Sequence, residues 1–114
     1  FKNDFICTNA QTFYIRDNQL HMVSQMRSND AWAGYRNDYA WAQYLMKLMV
    51  DEINYKNQDD LSKDQIIVGN LYWQVMNLHV YSRNFYLVDH YVKTGEHHIS
   101  KPDYIEKYPD SKYI

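Results

Sequence analysis

An alternating run that turns back on itself constrains this chain more than any other segment. In "TFYIRDNQLHMVSQMR", residues 12–27, Phe13 and Ile15 alternate with Tyr14 and Arg16 before the polar "RDNQ". Asp and Asn tolerate turn geometry, so this run predicts two strands joined by a tight turn. The period of two then separates two faces of the second strand, with Leu20, Met22, Ser24 and Met26 on one and His21, Val23, Gln25 and Arg27 on the other.

The following segment changes to a helical period. In "NDYAWAQYLMKLMVDEINY", residues 37–55, apolar side chains recur at intervals that place them on one side of a helix. Asn37 or Asp38 is expected to cap the start of this helix. The stripe consists of Ala42, Leu45, Met46, Met49 and Ile53.

The remainder of the chain mixes polar and apolar segments. "KNQDDLSKDQ", residues 56–65, predicts a surface loop, and a strand is expected from about Leu71 to Tyr81, after an interruption at Gly69–Asn70. A helix then follows a Ser82 cap and stops at Gly95. Residues 96–114, which hold both prolines, are expected to be irregular. Together these elements predict an α/β (α+β) chain.

Size, charge and cysteine content narrow the class of protein. A chain of 114 residues suits one domain with a modest core, and a net charge of −2 favours neither a nucleic acid nor a membrane partner. The lone Cys7 fits a reducing compartment, so a cytoplasmic protein is expected. Because both ends look cut, residues 1–114 are interpreted as one partial domain of a longer protein.

Cys7 admits two interpretations. A lone cysteine is often a small buried apolar residue, whereas a nucleophile needs a neighbour that activates its thiol. Cys7 precedes the predicted antiparallel hairpin and Arg27 ends it, so both are expected at the same end of the sheet. A guanidinium there would favour the thiolate.

The segment "SQMRSND", residues 24–30, places charged and polar side chains where the second strand ends. Arg27 and Ser28 together would suit a phosphate, because a guanidinium binds it through two donors and a hydroxyl adds a third. The alternative is a surface ion pair between Arg27 and Asp30.

A third group lies in "NLHVYS", residues 77–82. On a strand, Asn77, His79 and Tyr81 would share one face, an array of donors and acceptors that suits sugar hydroxyls. A buried polar network is the alternative. His97 and His98 are adjacent and point in different directions, so no metal site is predicted.

These segments together resemble the thymidylate synthase family, which includes the deoxynucleotide hydroxymethylases of phage. In that family a nucleophilic cysteine precedes two strands that end in an R-S-x-D phosphate-binding segment, here Cys7 and "QMRSND". "DAWAGYRND" resembles the run through a glycine to a base-reading amide, and "NLHVY" resembles the D-x-H-x-Y ribose motif. The resemblance covers roughly residues 5–92. It implies a mixed sheet with long packed helices and a homodimer formed through the sheet face.

The resemblance also implies roles for individual residues. Cys7 would attack C6 of the pyrimidine ring of a nucleoside 5′-monophosphate, and C5 would then take a one-carbon unit from 5,10-methylenetetrahydrofolate. The remaining roles concern the substrate: Arg27 and Ser28 for the 5′-phosphate, the Asp30 main chain for the ring, and His79 and Tyr81 for the sugar 3′-hydroxyl. Two segments depart from the family pattern, which has P-C-H where this chain has Ile6-Cys7-Thr8, and Asp where it has Asn77.

The most informative departure is Asp38. Aligned without a gap from Cys7, the family's ring-reading asparagine falls on Asp38, with Asn37 one residue before. A carboxylate only accepts hydrogen bonds, so it opposes uracil O4 and suits the N4 amino group of cytosine. The family's cytidylate hydroxymethylases carry an aspartate there, which favours hydroxymethylation of dCMP, with water rather than hydride quenching the exocyclic methylene intermediate. A slip to Asn37 would restore dUMP methylation.

Two classes of function stay open. The first is the C-terminal part of a C5 one-carbon transferase, and the second is a non-catalytic nucleotide-binding or dimerisation domain with the same fold. In the family, the catalytic glutamate, the folate-stacking tryptophan region and the arginines lent by the partner subunit all precede the cysteine. This chain alone is therefore expected to be inactive.

Overall fold

The computed structural model describes residues 6–114. The chain forms two compact units that divide between Leu78 and His79. The mixture of helices and strands agrees with an α+β fold. In chain order the elements are β1 (Thr8–Arg16), β2 (Gln19–Met26), β3 (Asn29–Asp30), α1 (Tyr35–Lys56), β4 (Ile67–Val75), β5 (Leu78–His79), a 3₁₀ turn (Ser82–Asn84), α2 (Phe85–Thr94) and α3 (Lys101–Lys107).

β1 and β2 form the predicted antiparallel hairpin. Asp17 and Asn18 occupy its two-residue turn with φ angles of 52° and 57°. Two successive positive φ values match a type I′ turn, whose twist suits the flanking strands. β1 begins at Thr8, four residues before its predicted start at Thr12.

A parallel strand completes a three-stranded mixed sheet in the order β1-β2-β4. β2 and β4 are parallel, and α1 lies between them in sequence and packs on both. The predicted face of β2 is buried: Leu20, Met22, Ser24 and Met26. Met22 joins Ala42 and Met46 of α1 in the core, and Phe13, Leu71 and Trp73 pack around them.

The predicted strand from Leu71 to Tyr81 was wrong at both ends. β4 runs through Gly69–Asn70 and stops at Val75. The ring of His21 lies against Gly69, where a Cβ would come within 2.7 Å of Nδ1. The N–H of Asn70 donates to that Nδ1 over 2.9 Å, and the register with β2 shifts at this point. The glycine therefore admits the histidine ring and the strand continues past it.

The predicted caps of α1 were also wrong. The helix begins at Tyr35 after Gly34, so Asn37 and Asp38 lie within its first turns. Asp30 causes the earlier start, because its Oδ1 accepts hydrogen bonds from the N–H groups of Trp32 and Ala33, at 2.9 and 3.2 Å. The N–H of Gly34 then donates to the Asp30 carbonyl over 2.9 Å. This side-chain turn bends the chain before the expected cap.

The polar segment after α1 is the predicted surface loop, with Leu61 fully exposed. Asn54 of α1 anchors the end of this loop. Its side-chain amide donates to the Ile66 carbonyl and accepts from the Ile66 N–H, each over 2.8 Å. β4 therefore begins from a fixed position on α1.

In the second unit, α2 ends at Gly95 as predicted, and this glycine has φ 77°. Ser82 lies in the 3₁₀ turn rather than at the cap of α2. The expectation that residues 96–114 are irregular was wrong, because α3 forms there. Ser100 caps α3 by accepting the N–H of Asp103 over 3.2 Å, and Pro102 stands in its first turn. This Ser-x-x-Asp pattern signals a helix start.

Tyr104 of α3 joins the interior of the second unit. Its side chain is fully buried, and its hydroxyl donates to Asp89 Oδ2 over 2.6 Å and contacts Ser111 Oγ at 2.6 Å. Burial and the hydrogen bond to Asp89 raise the pKa of Tyr104. Hydrogen bonds from Lys93 and Tyr104 lower the pKa of Asp89. Among residues 6–114 no helix is long and apolar enough to cross a bilayer.

Candidate functional site

Cys7 and Arg27 lie at the same end of the hairpin, as predicted. The N–H of Arg27 donates to the Cys7 carbonyl over 3.0 Å, one position beyond the pairing of Thr8 with Met26. Cys7 is half-buried and Arg27 is exposed. The hairpin therefore brings a thiol and a guanidinium-bearing residue onto adjacent strand ends.

A cavity of about 660 Å³ opens beside Cys7. Sites for small molecules commonly measure ~300–1,000 Å³, so this cavity has the size of a ligand site. Asp38 of α1 lies on its wall together with Cys7. Among residues 6–114, the lining of this cavity consists of Ile6, Cys7, Thr8, Asn9, Ala10, Gln11, Met26, Asp38 and Trp41. Folding thus joins the candidate nucleophile and the candidate base-reading residue in one cavity.

The segment between β2 and α1 is anchored by its backbone and by Asp30. Arg27 and Ser28 follow β2, and the N–H of Asn29 donates to the Asn77 carbonyl over 3.0 Å. The carboxylate of Asp30 is occupied with the turn that begins α1. The side chain of Asp30 therefore stabilises the turn before α1, whereas the role that the resemblance implies for Asp30 concerns its main chain.

Asp38 is held from outside its own helix. The Nδ2 of Asn29 donates to Asp38 Oδ2 over 2.7 Å. Asn37, the alternative base-reading residue, is exposed in the same turn. In the part of the chain that the structure describes, the cavity wall includes Asp38 and not Asn37.

The predicted row of Asn77, His79 and Tyr81 on one strand does not form. β5 is only two residues long, and Tyr81 lies beyond it in extended conformation. The rings of His79 and Tyr81 nevertheless meet edge to face, with centroids 4.9 Å apart. Both belong to the second unit, whereas Asn77 lies in the first and is exposed. The guanidinium of Arg83 stands 4.4 Å from the centre of the Tyr81 ring.

Sequence reasoning missed two residues of this region. Trp41 lies on the cavity wall three residues after Asp38, and helical spacing could have predicted that they share a side of α1. Asn29 lies within the segment of residues 24–30, but no role was predicted for it, because its contact with Asp38 forms only when β3 and α1 pack near each other.

Across the described residues, no group of three or more His, Cys, Asp or Glu is placed to hold a metal ion. His97 instead stacks near Tyr91, with ring centroids 4.5 Å apart. A second cavity, of about 380 Å³, lies in the second unit among Val80, Phe85, Val88, Asp89, Val92 and Tyr113, and none of the predicted site residues lines it.

No family model matches this chain. The deoxycytidylate 5-hydroxymethyltransferase of Enterobacteria phage T4 is 50% identical to it over 106 residues, which are 93% of this chain and 42% of the phage protein. The proteins of the same name from phages T6 and T2 are 49% and 48% identical over 102 residues, which are 90% of this chain and 40% of each. The chain thus spans about two fifths of the length of these relatives. Over most of its length, it is a homologue of proteins named deoxycytidylate 5-hydroxymethyltransferase.

Proposed function

We propose that the parent protein belongs to the thymidylate synthase family and hydroxymethylates C5 of dCMP. The observation that carries this proposal is that Cys7 and Asp38 line the same cavity. It combines a thiol, which can add covalently to C6, with a carboxylate, which can accept from the amino group of cytosine. The identity of 48–50% to proteins named deoxycytidylate 5-hydroxymethyltransferase supports the same reaction.

Cys7 acts as the nucleophile in this proposal. Addition of its thiolate to C6 of the pyrimidine makes C5 a carbon nucleophile. After C5 has taken the one-carbon unit and lost its proton, with release of tetrahydrofolate, water adds to the exocyclic methylene and elimination of the thiolate restores the aromatic ring. 5,10-Methylenetetrahydrofolate supplies the one-carbon unit when it is bound. We assign none of residues 6–114 to the folate, because the residues that hold it in the family precede the cysteine.

Asp38 selects the base. Its carboxylate accepts from the N4 amino group of cytosine, whereas uracil presents the acceptor O4 at that position. A buried polar group without a partner costs about 1–3 kcal/mol, which corresponds to roughly tenfold to hundredfold selectivity. The dUMP-methylating alternative requires Asn37 at the base, and Asn37 is exposed outside the cavity wall.

The remaining substrate contacts follow the resemblance. We assign the 5′-phosphate to Arg27 and Ser28 and the ring to the main chain of Asp30. The sugar is assigned to the segment that resembles the ribose motif, which contains Asn77, His79 and Tyr81. The edge-to-face contact of the His79 and Tyr81 rings supports a joint role. Each side-chain assignment predicts weaker nucleotide binding when that side chain is removed.

We further propose that the parent protein is a cytoplasmic homodimer whose reaction needs no nucleic acid. The sheet face opposite α1 supports a dimer, because it carries aromatic rings at its surface. Tyr14 stacks on His21 there, with ring centroids 5.0 Å apart, and Tyr72 is 45% exposed. Residues 1–114 would then be one part of each subunit's catalytic domain.

The test is nucleotide binding by the full-length parent protein. Titration calorimetry should give a dissociation constant for dCMP at least about tenfold below that for dUMP. The Asp38→Asn variant should lose this preference or reverse it, and the Asn37→Asp variant should leave it unchanged. Tighter binding of dUMP by the wild type would overturn the cytidylate assignment. Binding without turnover in the presence of methylenetetrahydrofolate would favour the non-catalytic alternative.

A further inference from the structure

We propose that Asn29 is a positioning residue that determines which carboxylate oxygen of Asp38 reads the base. The proposal rests on the function proposed above, in which Asp38 selects dCMP. It concerns a residue outside the cavity wall that acts only through its contact with Asp38.

Asn29 is buried, and its backbone is anchored by a hydrogen bond. It is 3% exposed, and its backbone N–H donates to the Asn77 carbonyl over 3.0 Å. The next residue, Asp30, forms the side-chain turn that begins α1. The amide of Asn29 therefore projects from a backbone that is fixed on both sides, and its Nδ2 reaches Asp38 Oδ2 at 2.7 Å.

This hydrogen bond makes the two oxygens of Asp38 unequal. A free carboxylate can present either oxygen, because rotation about its last bond exchanges them. With Oδ2 engaged by Asn29, Oδ1 is the oxygen left to accept from the N4 amino group of cytosine. Asn29 would thus raise selectivity by removing the rotational freedom of the reading group before the nucleotide binds.

The hydrogen bonding of Asn29 differs from that of an asparagine that only supports the fold. Within residues 6–114, the buried Oδ1 of Asn29 accepts no hydrogen bond, although a buried polar atom usually has a partner. Asn54 shows the structural case, because its Nδ2 and Oδ1 both bond to the backbone of Ile66. The side-chain amide of Asn29 therefore bonds to the side chain of Asp38, whereas the amide of Asn54 bonds to backbone groups.

The first experiment removes the donor in the full-length parent protein. Asn29→Leu keeps a similar volume. We expect the ratio of kcat/KM for dCMP to that for dUMP to fall by about tenfold, because Asp38 loses the charge-assisted hydrogen bond that orients its carboxylate to read the base. Asn54→Leu is the matched control, which should lower the melting temperature and leave the ratio unchanged. An unchanged ratio in Asn29→Leu would overturn the proposal.

The second experiment exchanges the two partners and does not depend on how Asn29→Leu folds. In Asp38→Asn, two facing amides can pair in either orientation, so the outward atom of residue 38 is not determined. In the double variant Asn29→Asp/Asp38→Asn, the carboxylate at 29 must accept from the amide NH₂ at 38, which turns the carbonyl oxygen of residue 38 outward. We expect the double variant to bind dCMP, relative to dUMP, about tenfold better than Asp38→Asn does.

The outcomes separate this inference from the proposed function. If the wild-type parent does not discriminate dCMP from dUMP, the proposed function is wrong, and so is the inference about Asn29 that rests on it. If the wild type discriminates and the double variant has the same preference as Asp38→Asn, only the role of Asn29 is wrong. A purely structural Asn29 would change stability in both experiments and would not move the preference back towards dCMP.

Discussion

The backbone N–H of Arg27 donates a hydrogen bond of 3.0 Å to the carbonyl of Cys7, so these residues face each other across the open end of the β1–β2 hairpin. The turn at Asp17–Asn18 sets the register of that hairpin at its other end. The two strands pair residue for residue from the turn, with one irregularity between Thr8 and Ala10. The position of the turn therefore determines which residues lie opposite each other at the candidate site.

Replacement of Cys7 tests covalent catalysis. In the full-length parent protein, Cys7→Ala should reduce turnover of dCMP by at least about 10⁴-fold, the scale on which loss of a covalent nucleophile slows other enzymes. Mass spectrometry should show an adduct between wild-type protein and 5-fluoro-dCMP in the presence of methylenetetrahydrofolate, and none in Cys7→Ala. An adduct on any other residue would refute the assignment.

Replacement of Arg27 tests the phosphate assignment. Arg27→Ala should weaken binding of dCMP by about tenfold to hundredfold, because a charge-assisted hydrogen bond contributes about 1.5–3 kcal/mol. Binding of deoxycytidine, which lacks the phosphate, should be equal in the two proteins. Loss of folding instead of binding would support the alternative in which Arg27 serves an ion pair.

Replacement of Gly69 tests the contact that lets β4 pass His21. Gly69→Ala would put a Cβ 2.7 Å from the ring atoms Cε1 and Nδ1 of His21, and overpacking of this kind costs about 1–3 kcal/mol. Urea unfolding should show this loss. His21→Ala should recover part of it in the double variant, because the added Cβ would still lie 3.0 Å from the carbonyl oxygen of Leu20.

Gly95→Ala provides the matched control for this cycle. At Gly95 nothing lies within 4 Å of an added Cβ, and its φ of 77° alone makes a side chain unfavourable. The cost of Gly95→Ala should therefore be independent of His21. Equal coupling of both glycines to His21 would contradict the steric explanation.

Acid should weaken the second unit through Asp89. Lys93 Nζ lies 2.6 Å from Asp89 Oδ2, and hydrogen bonds from Lys93 and then Tyr104 lower the pKa of this carboxyl below its ordinary 3.8. Because the folded pKa is lower than the unfolded one, the ionised form stabilises the fold above about pH 4, and this contribution is lost as the pH falls through the folded pKa.

Asp89→Asn should therefore be less stable than the wild type at about pH 7, and the difference should shrink below about pH 4. Hydrogen exchange of the α2 amides across this range measures it. The control is Asp51→Asn, which breaks an exposed i,i+4 pair with Lys47 and should cost only a few tenths of a kcal/mol. A difference for Asp89→Asn that stays constant with pH would contradict the linkage.

Local signals predicted those elements whose causes lie within a few neighbouring residues. Asp17 and Asn18 sufficed for the turn, and Gly95 for the end of α2. The Ser100–Asp103 capping pattern was equally local and was overlooked. By contrast, the start of α1 depended on Asp30, whose carboxylate accepts from the N–H groups of Trp32 and Ala33 and turns the chain before it reaches the expected caps.

Contacts between distant segments required the folded chain. In the sequence, Gly69 resembles a residue that interrupts a strand. In the folded chain the ring of His21 occupies the space beside Gly69, and β4 continues through it. In the site, spacing from Cys7 identified Asp38. Asn29 became relevant only because packing of β3 near α1 places its Nδ2 2.7 Å from Asp38 Oδ2. Short-range patterns encode backbone conformation, whereas the partner of a buried polar group depends on which segments packing brings together.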